Sequence, residues 1–347
     1  MSANGETPGA ADEAAVLEAL ARWQSEGAAL ATVIETWGSS PRPVGSQLAV
    51  SGAGRFVGSV SGGCVEGAVV SLAKEAIETH APRLIEFGVT DTEAWALGLA
   101  CGGRVAIYIE PAGGPGLAAS TVGRLLEAQR GERPVARVVD LLSGAESLIE
   151  PGGQASGAPL GEAVRAAALT ALEEDRPGLV PGTKSFVRPH LPAPRLIIVG
   201  ATHIAQSLAP MAALAGYGVV IVDPRRAFAT PERFPGVALL IEWPEPAFAR
   251  LKPDQRSAVV TLAHDPKVDD VALALALESP AFYIGALGSR SNQAKRLERL
   301  KAAGVPEAEL ARIHGPIGLA IGALSPAEIA IAILAQITKV RRRPREP

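Results

Sequence analysis

The segment Arg195-Leu-Ile-Ile-Val-Gly-Ala-Thr-His-Ile-Ala205 reads as a buried strand that runs through a glycine turn into a helix. Four consecutive apolar residues, 196–199, suit a strand covered on both faces, as in a parallel sheet. Apolar residues at helical spacing continue to Leu214. A second apolar run, 219–222, ends at Asp223. Strand, glycine turn, helix, strand and acid together describe a βαβ unit of the Rossmann kind. Runs at 258–262 and 281–284 and the turn Gly285-Ala-Leu-Gly-Ser-Arg290 extend the pattern. The closing helix begins at Ser325-Pro-Ala-Glu328, a capping box with proline at the first helical position. Pro326 and Glu328 interrupt the apolar stretch 317–337, so it is predicted as a buried helix and not a membrane span.

The dinucleotide fingerprint is incomplete. G-x-G-x-x-G reads here Gly200-x-Thr202-x-x-Ala205. Thr202 adds a side chain where a pyrophosphate would approach the backbone. Weak or no dinucleotide binding is therefore expected, and NAD(P) is not an expected cofactor. Asp223 stands where an acid would hold a ribose hydroxyl, and Arg225 and Arg226 follow it. His203, His264, Asp265, Ser289 and Arg290 all fall just after strands, on the carboxyl edge where such sheets bind ligands. For each of them singly, helix capping or a satisfied turn is the plain alternative.

Upstream lies a different kind of signal. In Gly58-Ser-Val-Ser-Gly-Gly-Cys-Val-Glu66, a β-leaning run gives way to Ser61, Gly62, Gly63 and Cys64, and then to helical spacing over 65–77. A cysteine on a glycine turn at a helix start meets unpaired N–H groups and the positive end of the helix dipole, which favour a thiolate or a bound anion. Gly98-Leu-Ala-Cys101-Gly102-Gly103-Arg104 again sets a cysteine against a glycine pair. Gly38-Ser39-Ser40-Pro-Arg42-Pro-Val-Gly45 adds two hydroxyls and a guanidinium, a set suited to anions. Three such loops suggest one site built from several turns.

Around them, a helix is predicted over 12–26, strands over 30–36, 84–87 and 104–110, and a hairpin from 47–50 and 56–60. Less marked segments follow: a helix over 121–129, a strand over 135–142, a glycine-rich loop over 151–160, a helix over 161–174 and a stiff linker over 188–194. The expected fold is α/β: an N-terminal α+β domain followed by a Rossmann-like, doubly wound parallel sheet. The expected domains are 1–112, a middle segment 113–193 that could complete the first, 194–340, and a basic tail 341–347. With 347 residues, two domains are the default. A net charge of −3 gives no basic field for nucleic acid. Two cysteines fit a reducing cytoplasm better than a disulfide framework. The acidic N-terminus does not read as a signal peptide. No spacing of Cys and His suggests a bound zinc.

Taken together, Gly38-Ser-Ser-Pro-Arg42, Gly58-Ser-Val-Ser-Gly-Gly-Cys-Val-Glu66 and Leu99-Ala-Cys-Gly-Gly103 closely resemble the signature of the XdhC/CoxI family. So do Val260-Thr-Leu-Ala-His-Asp-Pro266, Gly285-Ala-Leu-Gly-Ser-Arg290 and His314-Gly-Pro-Ile-Gly-Leu-Ala-Ile-Gly322 in the second half. Thr202 departs from that pattern, as does Ala320, where an acid is common. The resemblance implies an accessory protein of xanthine dehydrogenase and related molybdenum hydroxylases. Such a protein binds the molybdenum cofactor, a molybdopterin in plain or nucleotide-linked form, protects it during sulfuration and inserts it into the apo-enzyme. A cysteine desulfurase and the hydroxylase are the implied partners, and a homodimer is expected. The cofactor-binding residues would be Ser39, Ser40, Arg42, Ser61, Gly62, Gly63, Cys64, Glu66, Cys101, Gly102 and Gly103. Cys64 or Cys101 would meet the thiophilic molybdenum. A nicotinamide-dependent oxidoreductase and a non-catalytic scaffold are the other open classes.

Overall fold

The computed structural model describes residues 8–38, 42–88, 104–114 and 116–342. The expectations for Ser39, Ser40, Cys101, Gly102 and Gly103 fall outside them. The chain divides into two compact units, one of residues 11–192 and one that begins at Ala193.

In the first unit, helix α1 (Pro8–Trp23) and one 3-10 turn lead to strand β1 (Ala28–Trp37). Val16, Leu17, Leu20 and Trp23 recur every three or four residues and are all buried. Strands β2 (Gln47–Ser51) and β3 (Phe56–Gly58) form the expected hairpin. Helix α2 (Glu66–Thr79) and strands β4 (Arg83–Phe87) and β5 (Arg104–Pro111) follow. The sheet is antiparallel with order β3-β2-β1-β5-β4. Strand alternation sorts its side chains. Ala29, Ala31, Val33, Ile107 and Ile109 pack under α2, whereas Leu30, Ile34 and Tyr108 face the other way.

The middle of the chain is a second sheet. Helix α3 (Ala119–Arg130) leads to β6 (Val135–Asp140), β7 (Glu146–Ile149), β8 (Ala155–Gly157), helix α4 (Glu162–Glu174), β9 (Gly178–Leu179) and β10 (Ser185–His190). Its order is β8-β7-β6-β10-β9. The glycine-rich 151–160 therefore holds a short strand. Arg188, Pro189 and His190, expected to open a linker, lie instead in β10, where Pro189 pairs with Ala136 of β6. Val139 and Phe186 of this sheet pack on Ile34 and Tyr108 of the first. Ala136, Val138 and Val187 pack on the opposite side beneath Ala168 and Leu172 of α4. The unit is thus layered helix, sheet, sheet, helix.

The two sheets repeat one another: a helix, three strands in a meander, a helix and two strands, with the same strand order. The repeat extends to single turns. Gly45 and Gly144, Gly54 and Gly153, and Gly58 and Gly157 all have positive φ at matching places. A Cβ on Gly58 would lie 2.3 Å from the Gln47 carbonyl oxygen, and one on Gly157 would lie 2.4 Å from that of Glu146. Ser59 N–H donates to Gln47 O (3.0 Å), as Ala158 N–H donates to Glu146 O (2.9 Å). Helices α2 and α4 both end on a left-handed residue, His80 and Asp175.

In the second unit, β11 (Arg195–Val199), α5 (His203–Leu214) and β12 (Gly218–Val222) make the expected βαβ. Then come β13 (Ala238–Leu240), α6 (Pro244–Leu251), β14 (Ser257–Thr261), α7 (Pro266–Leu277), β15 (Tyr283–Ala286), α8 (Arg290–Ala302), the short α9 (Glu307–Leu310), β16 (Ile313–His314) and α10 (Pro326–Arg341). All pairs are parallel and the order is β13-β12-β11-β14-β15-β16, the doubly wound Rossmann arrangement. One face packs on α5 and α10, the other on α6, α7 and α8. The Ser325–Glu328 capping box is formed in full.

Candidate functional site

The Cys64 loop joins β3 to α2, and one side chain organises it. Glu66, the first residue of α2, is buried and turns back into the loop. Its Oε1 accepts from Ser59 Oγ (2.8 Å), Val60 N (3.2 Å), Ser61 N (2.9 Å) and Gly62 N (3.0 Å). Its Oε2 accepts from Gly63 N (2.8 Å) and from the Ser61 hydroxyl. The unpaired N–H groups expected at Ser61, Gly62 and Gly63 are therefore already satisfied by the protein's own carboxylate. Burial opposes the charge on Glu66. The hydrogen bonds from Ser61, Ser59 and the loop amides outweigh it and hold the carboxyl down at about 2.

The positive φ values of Gly62 and Gly63 wrap the chain around that carboxylate. Val65 N–H donates to Ser61 Oγ (2.9 Å), which ties the loop to the helix start. Cys64 carries a free thiol, is half-buried, and rests on the apolar cluster of Val60, Val65 and Val69. A Cβ on Gly63, beside it in the chain, or on Gly67, one turn on, would meet nothing within 4 Å among the described residues. Arg42, from the preceding glycine loop, donates through Nε to the Ser59 carbonyl (3.3 Å). Two separated motifs, the Arg42 loop and the Cys64 loop, thus meet. Among the described residues no group of three or more His, Cys, Asp or Glu is placed to hold a metal ion. Nor is any helix there long and apolar enough to cross a membrane.

The carboxyl edge of the Rossmann sheet is built separately. Gly200 has φ +108, and a Cβ there would sit 2.5 Å from the Ala263 amide nitrogen, so the turn after β11 packs tightly on the one after β14. Asp223 is fully buried and fully used. Oδ1 accepts from Arg225 N and Nε (both 2.9 Å), and Oδ2 from Ala201 N (2.7 Å) and Arg225 Nη2 (2.7 Å). Burial alone would raise its carboxyl, but these bonds pull it below the usual range. Arg225 also covers the Phe228 ring, 4.3 Å from its centre, and feels the charges of Asp265 and Asp269. Asp265 and Ser289 are helix N-caps, accepting from Lys267 N (2.9 Å) and Asn292 N (3.2 Å). Thr202 is the N-cap position of α5. His203 and Arg290 are exposed first residues of α5 and α8. Asp223 and Arg225 are thus directly joined, Asp223 is tied to the glycine turn through Ala201 N, and Thr202 N–H donates to the Gly200 carbonyl (2.9 Å).

Asp269 was not among the expected residues. It lies on α7, 1% exposed, and accepts from Ala263 N (3.1 Å) and His264 N (3.0 Å). Those bonds hold His264 in a left-handed conformation, φ +59. Burial raises the Asp269 carboxyl to about 6, although Arg296 stands 3.9 Å away. Arg296, also buried, donates to Gln293 Oε1 (2.8 Å) and Leu287 O (2.9 Å). In sequence these residues look like ordinary polar positions on amphipathic helices.

Residues 196–337 match the XdhC Rossmann domain, and residues 21–88 match the XdhC and CoxI family. The chain is 30% identical to the molybdenum cofactor insertion chaperone PaoD of Escherichia coli (strain K12), over 91% of this chain and 84% of that one. It is 29% identical to a probable xanthine dehydrogenase subunit from Bacillus subtilis (strain 168), over 94% and 97%. The crystal structure of a xanthine dehydrogenase from Bacillus halodurans superposes with a TM-score of 0.77 at 25% identity, covering 95% of this chain and 96% of that one.

Proposed function

Because the chain belongs to the XdhC and CoxI family, we propose that it carries the molybdenum cofactor to a xanthine dehydrogenase-type hydroxylase. It holds the cofactor while sulfur replaces the terminal oxygen ligand, then releases it into the apo-enzyme. The hydroxylase and a cysteine desulfurase are its partners. It acts as a cytoplasmic homodimer, and its cargo is molybdopterin in plain or nucleotide-linked form. The supporting observation is the junction of Arg42 with the Cys64 loop at Ser59. That junction puts a guanidinium suited to phosphate near a thiol suited to molybdenum. Cys101, in the second cysteine loop, is the alternative metal-facing thiol.

A nicotinamide role for the Rossmann unit fits less well. Its acid, Asp223, is sealed by Arg225 and the Ala201 amide, so a ribose hydroxyl would have to displace a guanidinium.

The test is co-expression of Cys64→Ser and Arg42→Ala variants with a client hydroxylase. Both are expected to fold and to carry less molybdenum and pterin, Cys64→Ser most severely. The client is expected to lack sulfurated cofactor. Wild-type cofactor content in both variants, with a fully active client, would refute the proposal.

A further inference from the structure

We propose that Glu66 is the built-in anion of the Cys64 loop: a positioning residue that closes the amide cradle to the cargo's phosphate and fixes where the thiol stands. This deepens the cofactor-carrier reading and rests on it. Glycine turns followed by a helix start are natural anion cradles, with several N–H groups aimed at one point. Here that point is filled by a carboxylate of the same chain, which takes four backbone N–H groups and two hydroxyls. A cargo phosphate would have to displace a buried, ionised group to enter. The loop therefore offers its visitor the Cys64 thiol, beside glycines whose Cβ positions meet no described atom within 4 Å.

The repeated half of the unit supplies an internal control. Glu162 is the first residue of α4, as Glu66 is of α2. The strand-to-helix connection there, Ala158-Pro-Leu-Gly161, is shorter and lacks a thiol. Glu162 is exposed. The same fold thus begins the same helix without an inward-turned carboxylate. The inward carboxylate accompanies the longer, thiol-bearing loop, and so serves the loop and not the fold.

The test needs no cargo. Alkylation of Cys64 by iodoacetamide, followed residue by residue by mass spectrometry across pH, is compared in wild type, Glu66→Ala and Glu162→Ala. Emptying the cradle is expected to change the Cys64 rate by about tenfold, the scale of a lost charge-assisted contact. Added formate or acetate should enter the cradle of Glu66→Ala and restore the wild-type rate and pH profile. Glu162→Ala should behave as wild type. An unchanged rate in Glu66→Ala, or a change that small carboxylates do not reverse, overturns the proposal. Should Glu66→Ala not fold, Glu66→Gln keeps the volume but sets an amide NH2 against the loop donors. A wild-type rate in that variant overturns the proposal equally. Wild-type cofactor content in both Cys64→Ser and Arg42→Ala, with a fully active client, would defeat the carrier reading and leave this result standing.

Discussion

Arg137 of β6 and Glu110 of β5 face each other between the two sheets of the first unit, joined by parallel hydrogen bonds of 2.7 and 2.8 Å. Side-chain exposure is 5% and 1%. Arg137 also reaches Glu146 Oε2 through Nε (3.0 Å) and the Gly116 carbonyl (3.3 Å). One guanidinium thus neutralises two carboxylates in the interior. Removing it leaves like charges together in a poorly solvated place. Arg137→Leu is expected to cost about 3–5 kcal/mol. Glu110→Leu should cost less, because Glu146 still answers the guanidinium. The double variant should be more stable than Arg137→Leu alone. Urea midpoints of the three variants check the ranking.

Acid should act oppositely on Glu13 and Glu66 of the first unit and on Asp269 of the second. Glu13 is half-buried, which opposes its charge, but Arg188 and His190 pull it to about 2, and Glu66 stands at about 2 as well. Both lie below the ordinary 4.5, so their stabilisation is present above pH 4.5 and is lost as pH falls toward 2. Burial lowers the His190 imidazole, so it too favours folding above its ordinary 6.5 and loses that as pH falls. Asp269 has the reverse sign. Raised from 3.8 to about 6, it favours the folded state below 3.8 and loses that as pH rises through 6. Each carboxylate is worth about 3 kcal/mol at most. Urea midpoints followed across pH in Glu13→Gln and Asp269→Asn check the two signs. Asp269→Asn should flatten the stability of the Rossmann unit between pH 4 and 6.

The paired glycines should fail together. Gly58→Ala and Gly157→Ala each force a left-handed β-carbon against a carbonyl oxygen. Each is expected to lose about 2–4 kcal/mol. Gly63→Ala has the same sign of φ but open space, and should lose about 1 kcal/mol. Thermal melts decide. A mild Gly157→Ala beside a severe Gly58→Ala would show that the two halves bear load differently.

Asp223 can be unsealed. In Thr202→Gly/Arg225→Ala the turn after β11 loses a side chain and the acid loses its guanidinium. Nicotinamide dinucleotide binding, expected to be negligible in wild type, should become measurable by calorimetry. Tight binding by the wild type would contradict the expectation drawn from Thr202.

The Rossmann unit could be read residue by residue because its strands are apolar throughout and its turns carry glycine, so period and punctuation agree. The Cys64 loop was equally visible, yet its inner wiring was not. Glu66 looked like the first acid of a helix, and only the backward turn of its side chain made it the centre of the loop. The second sheet, apart from its expected strand at 135–142, escaped for another reason. Strands β8 and β9 are three and two residues long, too short to establish alternation, and Pro189 argued against a strand. A usable trace did exist. Gly45, Gly54 and Gly58 recur at one constant interval as Gly144, Gly153 and Gly157, because all six take a positive φ, which favours glycine, and two of them also abut a carbonyl oxygen. Asp269 and Arg296 left no trace, since a buried charged pair on two helices has the spacing of a solvated one.

The last helix has a consequence for synthesis. Ala330, Ile333 and Ile337 of α10 sit in the core of the Rossmann sheet, and Gln336 Oε1 accepts from both Tyr283 OH (2.6 Å) and Gly318 N (2.8 Å). The sheet therefore cannot be sealed until the nascent chain has been made past residue 337. The unit of residues 11–192, contiguous and complete at β10, is finished much earlier. At ribosomal speeds the interval is roughly 8–30 s. During it the residues that wire the Cys64 loop are all available within one compact unit, so the thiol can be shaped before the Rossmann unit exists.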